Sequence, residues 1–460
     1  MGKYLKKFNN HTEYETFISG EGETPFVKPN VSYCVQENEV HYNPRTYADM
    51  YLTFEVMNDE GGTITFKTNN NSVSKMISYS KDNGDTWTEL TSTTTAQTLG
   101  GTLNKGDKVL VKGNNTSYGT SSYYNTFGGT AKVNVYGNIM SLISGDDFVN
   151  NKTLTAIYTF TRLFNSYTNL LSAEHLILSA TTLASYCYYY MFDGCSSLTT
   201  APELPATTLA SFCYYYMFNG CRSLTTAPEL PATTLASYCY QYMFNGCNSL
   251  TTAPELPATT LANNCYSAMF AGCTSLTTAP ELPATTLASY CYQYMFNGCN
   301  SLTTAPELPA TTLASYCYSN MFNGCNSLTT APELPATTLA SSCYSNMFNG
   351  CNSLTTAPEL PATTLASSCY QSMFQGCTSL TTAPELPATT LANICYTNMF
   401  KGCTNLNYIK CLATNISASS CTNNWVSSVS SGGTFVKAAS MTDWTNGVSG
   451  IPNGWTVQDA

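Results

Sequence analysis

A chain of 460 residues with a net charge of −10 and only 10% charged residues lacks the basic surface that nucleic acid or an anionic membrane would need as a partner. Its three histidines, His11, His41 and His175, stand beside no nucleophile or carboxylate pair in the sequence, which speaks against catalysis. None of its 21 cysteines falls in a C-x-x-C spacing, so neither a zinc site nor another cofactor is expected.

Residues 1–45 are polar, with Tyr4, Leu5, Phe8, Tyr14 and Phe17 as scattered apolar anchors, and read as an attachment segment. Met1 to Asn10 carries lysines but no apolar core, unlike a secretory signal. No apolar run of about 18 residues exists, so membrane insertion is not expected.

Residues 46–140 alternate strand-like runs with Asn/Gly-rich turns: Met50–Met57, Gly62–Thr68, Met76–Ser80, Thr86–Leu90, Lys108–Lys112 and Thr130–Tyr136. That spacing predicts an antiparallel β-sandwich. Ser80-Lys-Asp-Asn-Gly-Asp-Thr-Trp87 matches the Asp-box of sialidase-like propellers, where it folds a hairpin. A sialidase also needs clustered arginines for a substrate carboxylate. Here Arg45, Arg162 and Arg222 lie in three different modules. Residues 141–183 read as a linker and an N-terminal capping coil, with Leu163-Phe164 in place of the Met-Phe pair that follows.

That pair recurs every 26 residues, at Met191, Met217, Met243, Met269, Met295, Met321, Met347, Met373 and Met399. A fixed period of this size marks stacked units that bury one another's apolar faces. In the copy around Met217, Thr208 suits a helix N-cap, Leu209 to Asn219 a three-turn helix, and Gly220 a left-handed C-cap. Leu209, Cys213 and Met217, with Ala210, Tyr214 and Phe218, form the invariant and therefore inward arc. Leu224 to Ala227 reads as a short strand stopped by Pro228. The prediction for residues 184–407 is a mixed β and α fold, a right-handed leucine-rich-repeat solenoid of nine 26-residue coils. With coils roughly 4.8 Å apart, it would form a rod about 45 Å long. Residues 408–460, holding Trp425, Trp444 and Trp455, read as a C-terminal cap or a binding tip.

Two cysteines per copy, from Cys187 and Cys195 to Cys395 and Cys403, are expected to be reduced, buried core residues. One glutamate per linker, Glu203 to Glu385, reads as a solvated ladder, with divalent-cation binding as the alternative. Copies differ on the opposite arc, where Tyr186, Tyr189, Tyr190, Phe212, Tyr215, Tyr216, Tyr238 and Tyr242 cluster in the first three. Tyr beside Ser and Asn is a binding-surface palette, so these eight are the candidate ligand residues. The alternative is a ladder that only stiffens the rod, with a plain spacer as its function.

Met-Phe-x-Gly-Cys-x-Ser-Leu followed by Leu-Pro-x-x-x-Leu resembles the BspA-like leucine-rich repeats over residues 156 to 425. The resemblance implies adhesion and not catalysis, with a host-surface glycan or protein as ligand. The first 45 residues are similar to N-termini of virion-attached proteins of tailed gut phages, including crAss-like ones. That resemblance implies a virion-surface fibre, a capsid or tail protein as the partner of the N-terminal region, and a homo-oligomer, commonly a trimer. A bacterial surface adhesin is the alternative.

Overall fold

A computed structural model describes residues 33–36, 39–42 and 47–460. The attachment segment of residues 1–45 lies outside them, apart from strands β1 (Tyr33–Gln36) and β2 (Glu39–Tyr42), which pair antiparallel.

Alternating apolar residues build the sandwich. One sheet contains β3 (Leu52–Val56), β5 (Met76–Ser80), β6 (Thr88–Thr91), β8 (Lys108–Lys112) and β10 (Val133–Asn138), in the order β10-β3-β8-β5-β6. The other contains β4 (Ile64–Thr68), β7 (Gln97–Thr98) and β9 (Asn125–Gly129), in the order β7-β4-β9. Phe54 from the first sheet packs on Phe127 from the second at 5.0 Å. Strands β7 and β9 went unpredicted. The latter ends in two glycines, and Gly129 has φ +137 with Thr63 carbonyl oxygen where a side chain would begin, so strand propensity misses it.

Strand β10 joins two architectures. One edge pairs antiparallel with β3; the other pairs parallel with β11 (Leu170–Ser172) and β12 (Leu176–Ile177). Phe164, the first residue of the long phenylalanine column, touches both Phe54 and Phe127. Sandwich and repeats therefore share one hydrophobic core.

The repeat segment is not helical, which corrects the mixed β and α prediction. The one α-helix among the described residues is Ser141–Ser144. Residues 184–195 instead form a ribbon of consecutive turns. Alternate N–H groups (Cys187, Tyr189, Met191, Asp193, Cys195) donate three residues back, to Ala184, Tyr186, Tyr188, Tyr190 and Phe192. The intervening ones (Tyr186, Tyr188, Tyr190, Phe192, Gly194) donate to the next copy, to Ser211, Cys213, Tyr215, Met217 and Asn219. Every N–H from Tyr186 to Cys195 is satisfied without a helix.

The physical reason is the spacing of the rungs. Helices side by side need about 8–10 Å between axes. Equivalent phenylalanines here are 5.2 Å apart at Phe164–Phe192 and 5.8 Å apart at Phe374–Phe400. A turn ribbon fits that pitch and a helix does not. Thr208 accordingly is no N-cap but a parallel bridge to Thr182, and the expected strand from Leu224 shrinks to a bridge from Thr226 to Thr200 and Thr252. Pro228, two residues on, has no N–H to extend it. Gly220 does adopt the left-handed region, at φ +68, as the last turn of its ribbon.

Side chains alternate in pairs along the ribbon. Cys187-Tyr188 and Met191-Phe192 are buried, while Tyr189-Tyr190 and Asp193-Gly194 face outward. The second cysteine of each copy donates its thiol to a phenylalanine carbonyl of the preceding rung: Cys195 to Phe164 at 3.0 Å, Cys221 to Phe192 at 3.2 Å, Cys403 to Phe374 at 2.9 Å. The twenty cysteines whose side chains are described are all free and buried. Burial pushes these thiols up, Cys213 to about 12. The ladder also runs past the last exact copy: Ile394, Tyr396, Asn398, Phe400 and Gly402 donate to Ser419, Cys421, Asn423, Trp425 and Ser427. Trp425, fully buried, lies on Tyr396 and donates its indole N–H to the Gly450 carbonyl at 2.9 Å. Strands β13 (Tyr408–Cys411), β14 (Thr434–Lys437) and β15 (Thr456–Asp459) add a parallel sheet beyond it.

Candidate binding face

The ribbon decides what faces solvent. Every fourth residue must take φ near +57, and those residues point outward: Tyr186 and Tyr190, Phe212 and Tyr216, Tyr238 and Tyr242 in the first three copies. This region costs a residue other than glycine roughly 1–2 kcal/mol, and Asn bears it more readily than an aromatic. Later copies hold the same backbone with a range of residues: Ser342 and Asn346 at φ +56 and +55, Ser368 and Ser372 at +56 and +54, and Ile394 at +60. The scaffold therefore does not require aromatics at these positions.

All eight candidate residues lie half-buried on this one face. They form three columns along the stack. Tyr186, Phe212 and Tyr238 stack at 4.6 and 4.4 Å, a column that Tyr158 extends at 4.6 Å. Tyr190, Tyr216 and Tyr242 stack at 4.7 and 4.4 Å. Tyr189 and Tyr215 stack at 5.1 Å between them, edge-on to Tyr186 and Tyr190. Within a column the ring faces cover one another, so the surface offers ring edges and hydroxyls. Such contacts contribute about 0.5–1.5 kcal/mol per pair beyond burial, which offsets the backbone strain. Burial and neighbouring phenols push Tyr215 up to about 12 and Tyr190 and Tyr216 higher still, so these hydroxyls remain donors at neutral pH. The middle column already ends at Gln241 in the third copy; the other two stop at the fourth, at Asn264 and Ala268, and resume at Tyr290 and Tyr294.

Arg162, not singled out from the sequence as a site residue, stands at the head of the Tyr190 column with its guanidinium 4.3 Å from that ring. Its signal was register: counted back from Tyr190 through two extra residues, it fills the outward position of the degenerate first copy. The glutamates of the linker ladder are all exposed, and the last, Glu385, pairs with Lys410 at 3.0 Å. In the Asp-box, Asp82 accepts from the Ser80 hydroxyl at 2.6 Å and from the Thr86 N–H at 3.0 Å, which pins the hairpin. Those bonds hold its carboxyl far below the usual range.

Parallel rungs at a 26-residue interval define a repeat protein that presents one continuous outer face. The chain belongs to the BspA type leucine-rich repeat family. That region matches residues 161–303, 214–354 and 318–437 in six copies, together more than half of the chain. Repeats of this type point to adhesion at a surface or to protein binding. No curated protein matches the chain.

Proposed function

We propose that this protein is a non-catalytic adhesion fibre of a phage virion, whose nine coils form one right-handed rod that displays the tyrosine columns to a host or mucosal surface. Residues 1–45 attach it to a capsid or tail protein and bring the chains together as a homo-oligomer, a trimer in the usual fibre arrangement. The ligand is a surface glycan or protein. One observation carries the binding reading: bulky aromatics occupy strained outward positions in the first three copies, although Ser and Asn hold the same backbone at Ser342 and Asn346 of a later one. The virion assignment rests on the resemblance of the N-terminal segment.

The test is the fourfold replacement of Tyr186, Tyr190, Tyr216 and Tyr242 by Ser. Ser already occupies the equivalent positions 342, 368 and 372, so the fold should persist. Each anchor lost should cost about 2 kcal/mol where it is a hot spot, enough together to abolish attachment to cells. Unchanged attachment by the folded variant overturns the reading and leaves a spacer. For the virion assignment, capsid, portal or tail genes beside this one support it; the protein on uninfected cells and in no virion overturns it. Light scattering that shows a monomer for the whole chain removes the oligomer.

A further inference from the structure

The tyrosine face contains one cation. Arg162 has φ +55, like the tyrosines it precedes. Its guanidinium lies 4.3 Å from the ring centre of Tyr190, 5.1 Å from Tyr124 and 5.8 Å from Tyr189. Tyr124 belongs to the sandwich, immediately before β9, so two modules build this aromatic box. No carboxylate among the described residues stands within ion-pair distance of Arg162. The acid that does influence it, Asp193, is engaged elsewhere. Its two carboxylate oxygens accept from Asn219 at 2.6 Å and Asn165 at 2.8 Å. Burial raises its pKa, which the two amides and Arg162 offset only in part.

A column cap needs no charge, since tyrosine fills this position in the next three copies. Aromatic rings attract a cation through their quadrupoles, but they do not neutralise it, and with no acid paired to it the guanidinium keeps its full charge for an anion. Stacked on a ring, a guanidinium keeps its N–H donors in its own plane, where a two-oxygen anion fits side by side.

We propose that Arg162 is the carboxylate subsite of the tyrosine face, and that the ligand is an acidic sugar, a uronic or sialic acid residue in an otherwise neutral glycan. The carboxylate pairs with the guanidinium, and the sugar hydroxyls meet the phenols of Tyr189, Tyr190 and Tyr124. One cation against these columns, in a chain whose net charge is −10, suits one isolated carboxylate and not a polyanion. The proposal rests on the reading of this face as a glycan-binding surface.

The experiment measures binding of the full chain to sialyllactose, to a glucuronic acid disaccharide and to lactose by titration calorimetry. Wild type should bind at least one acidic sugar about ten-fold more tightly than lactose, the scale of one charge-assisted bidentate contact. Arg162→Met should bring that sugar to the lactose level while lactose binding stays as it was. Arg162→Lys keeps the charge without the fork and should fall between the two. Thermal melts of both variants check the junction, and if Arg162→Met unfolds, the lysine variant carries the comparison. No preference for either acidic sugar in wild type, or a preference that survives in both variants, overturns the proposal. Should an Asp-containing peptide take the place of the sugar with the same dependence on Arg162, the ligand class is wrong and the proposal falls. Cell attachment lost in the fourfold tyrosine variant, with no acid preference, defeats this inference alone. Attachment that survives that variant defeats the parent reading.

Discussion

A turn ribbon and a helix disagree in sign about one substitution, Ser342→Gly. Ser342 has φ +56, its N–H donates to the Ser367 carbonyl at 3.0 Å, and its carbonyl accepts from the Ser345 N–H at 3.2 Å. Glycine keeps both bonds. The left-handed conformation costs serine roughly 1–2 kcal/mol, and the extra freedom of unfolded glycine costs about 0.5–1 kcal/mol. The ribbon therefore predicts a gain of about 0.5–1 kcal/mol, whereas a helix interior predicts a loss of about 0.5 kcal/mol. Adding Ser420→Gly, at φ +53 and three rungs away, should roughly double the gain, because distant sites add. Ser342→Val is the converse. A β-branched residue at positive φ is strained, a cost the fold bears once, at Ile394 two rungs on (φ +60), and it should lower stability beyond the few tenths of a kcal/mol expected in a helix. Urea denaturation followed by far-UV circular dichroism and tyrosine fluorescence reads all of these as midpoint shifts. A lower midpoint for Ser342→Gly would refute the ribbon argument.

Phe296, fully buried between Phe270 at 5.8 Å and Phe322 at 5.7 Å, sits mid-column. Its replacement by Ala should cost about 3–5 kcal/mol in the same assay, and a loss under about 1 kcal/mol would mean that the column is not the core. The twenty described cysteines should stay unreactive to a thiol reagent in the native state and all react in denaturant; disulfide-linked peptides bridging Cys213 and Cys221 would contradict this. Asp193 has a folded pKa raised above 3.8 by burial. Its contribution is therefore fully present below 3.8 and declines as pH rises through the higher folded value. Asp193→Asn, the residue at the equivalent positions 219 and 245, should remove that decline and be the more stable form at neutral pH. Equal pH slopes for the two proteins would show that the carboxyl is not strained by burial.

The sequence by itself determined the period, the family, the sandwich strands with regular alternation, and four of the six inward positions; Leu209 and Ala210, also expected inward, are only half-buried. Cys213, Tyr214, Met217 and Phe218 are buried as their invariance implied, because a position that must stack on its own copy tolerates no change. It did not determine what carries that set. A helix of 3.6 residues per turn and a ribbon of four both bring residues i, i+4 and i+8 to one face over this length. They part at i+3 and i+7, at Phe212 and Tyr216, which a helix would place beside Leu209. Both instead stand outward at φ +61 and +55. A stacked aromatic ladder was one of two readings open in the sequence; which rings share a column, and Arg162 as the head of one, depend on which rung lies on which. Only the tertiary structure settles this, because the deciding quantity is a distance between chain segments 26 residues apart. Rungs under 6 Å apart, as between Phe296 and Phe322 at 5.7 Å, leave no room for neighbouring helices, and the backbone bonds to the next rung instead of to itself.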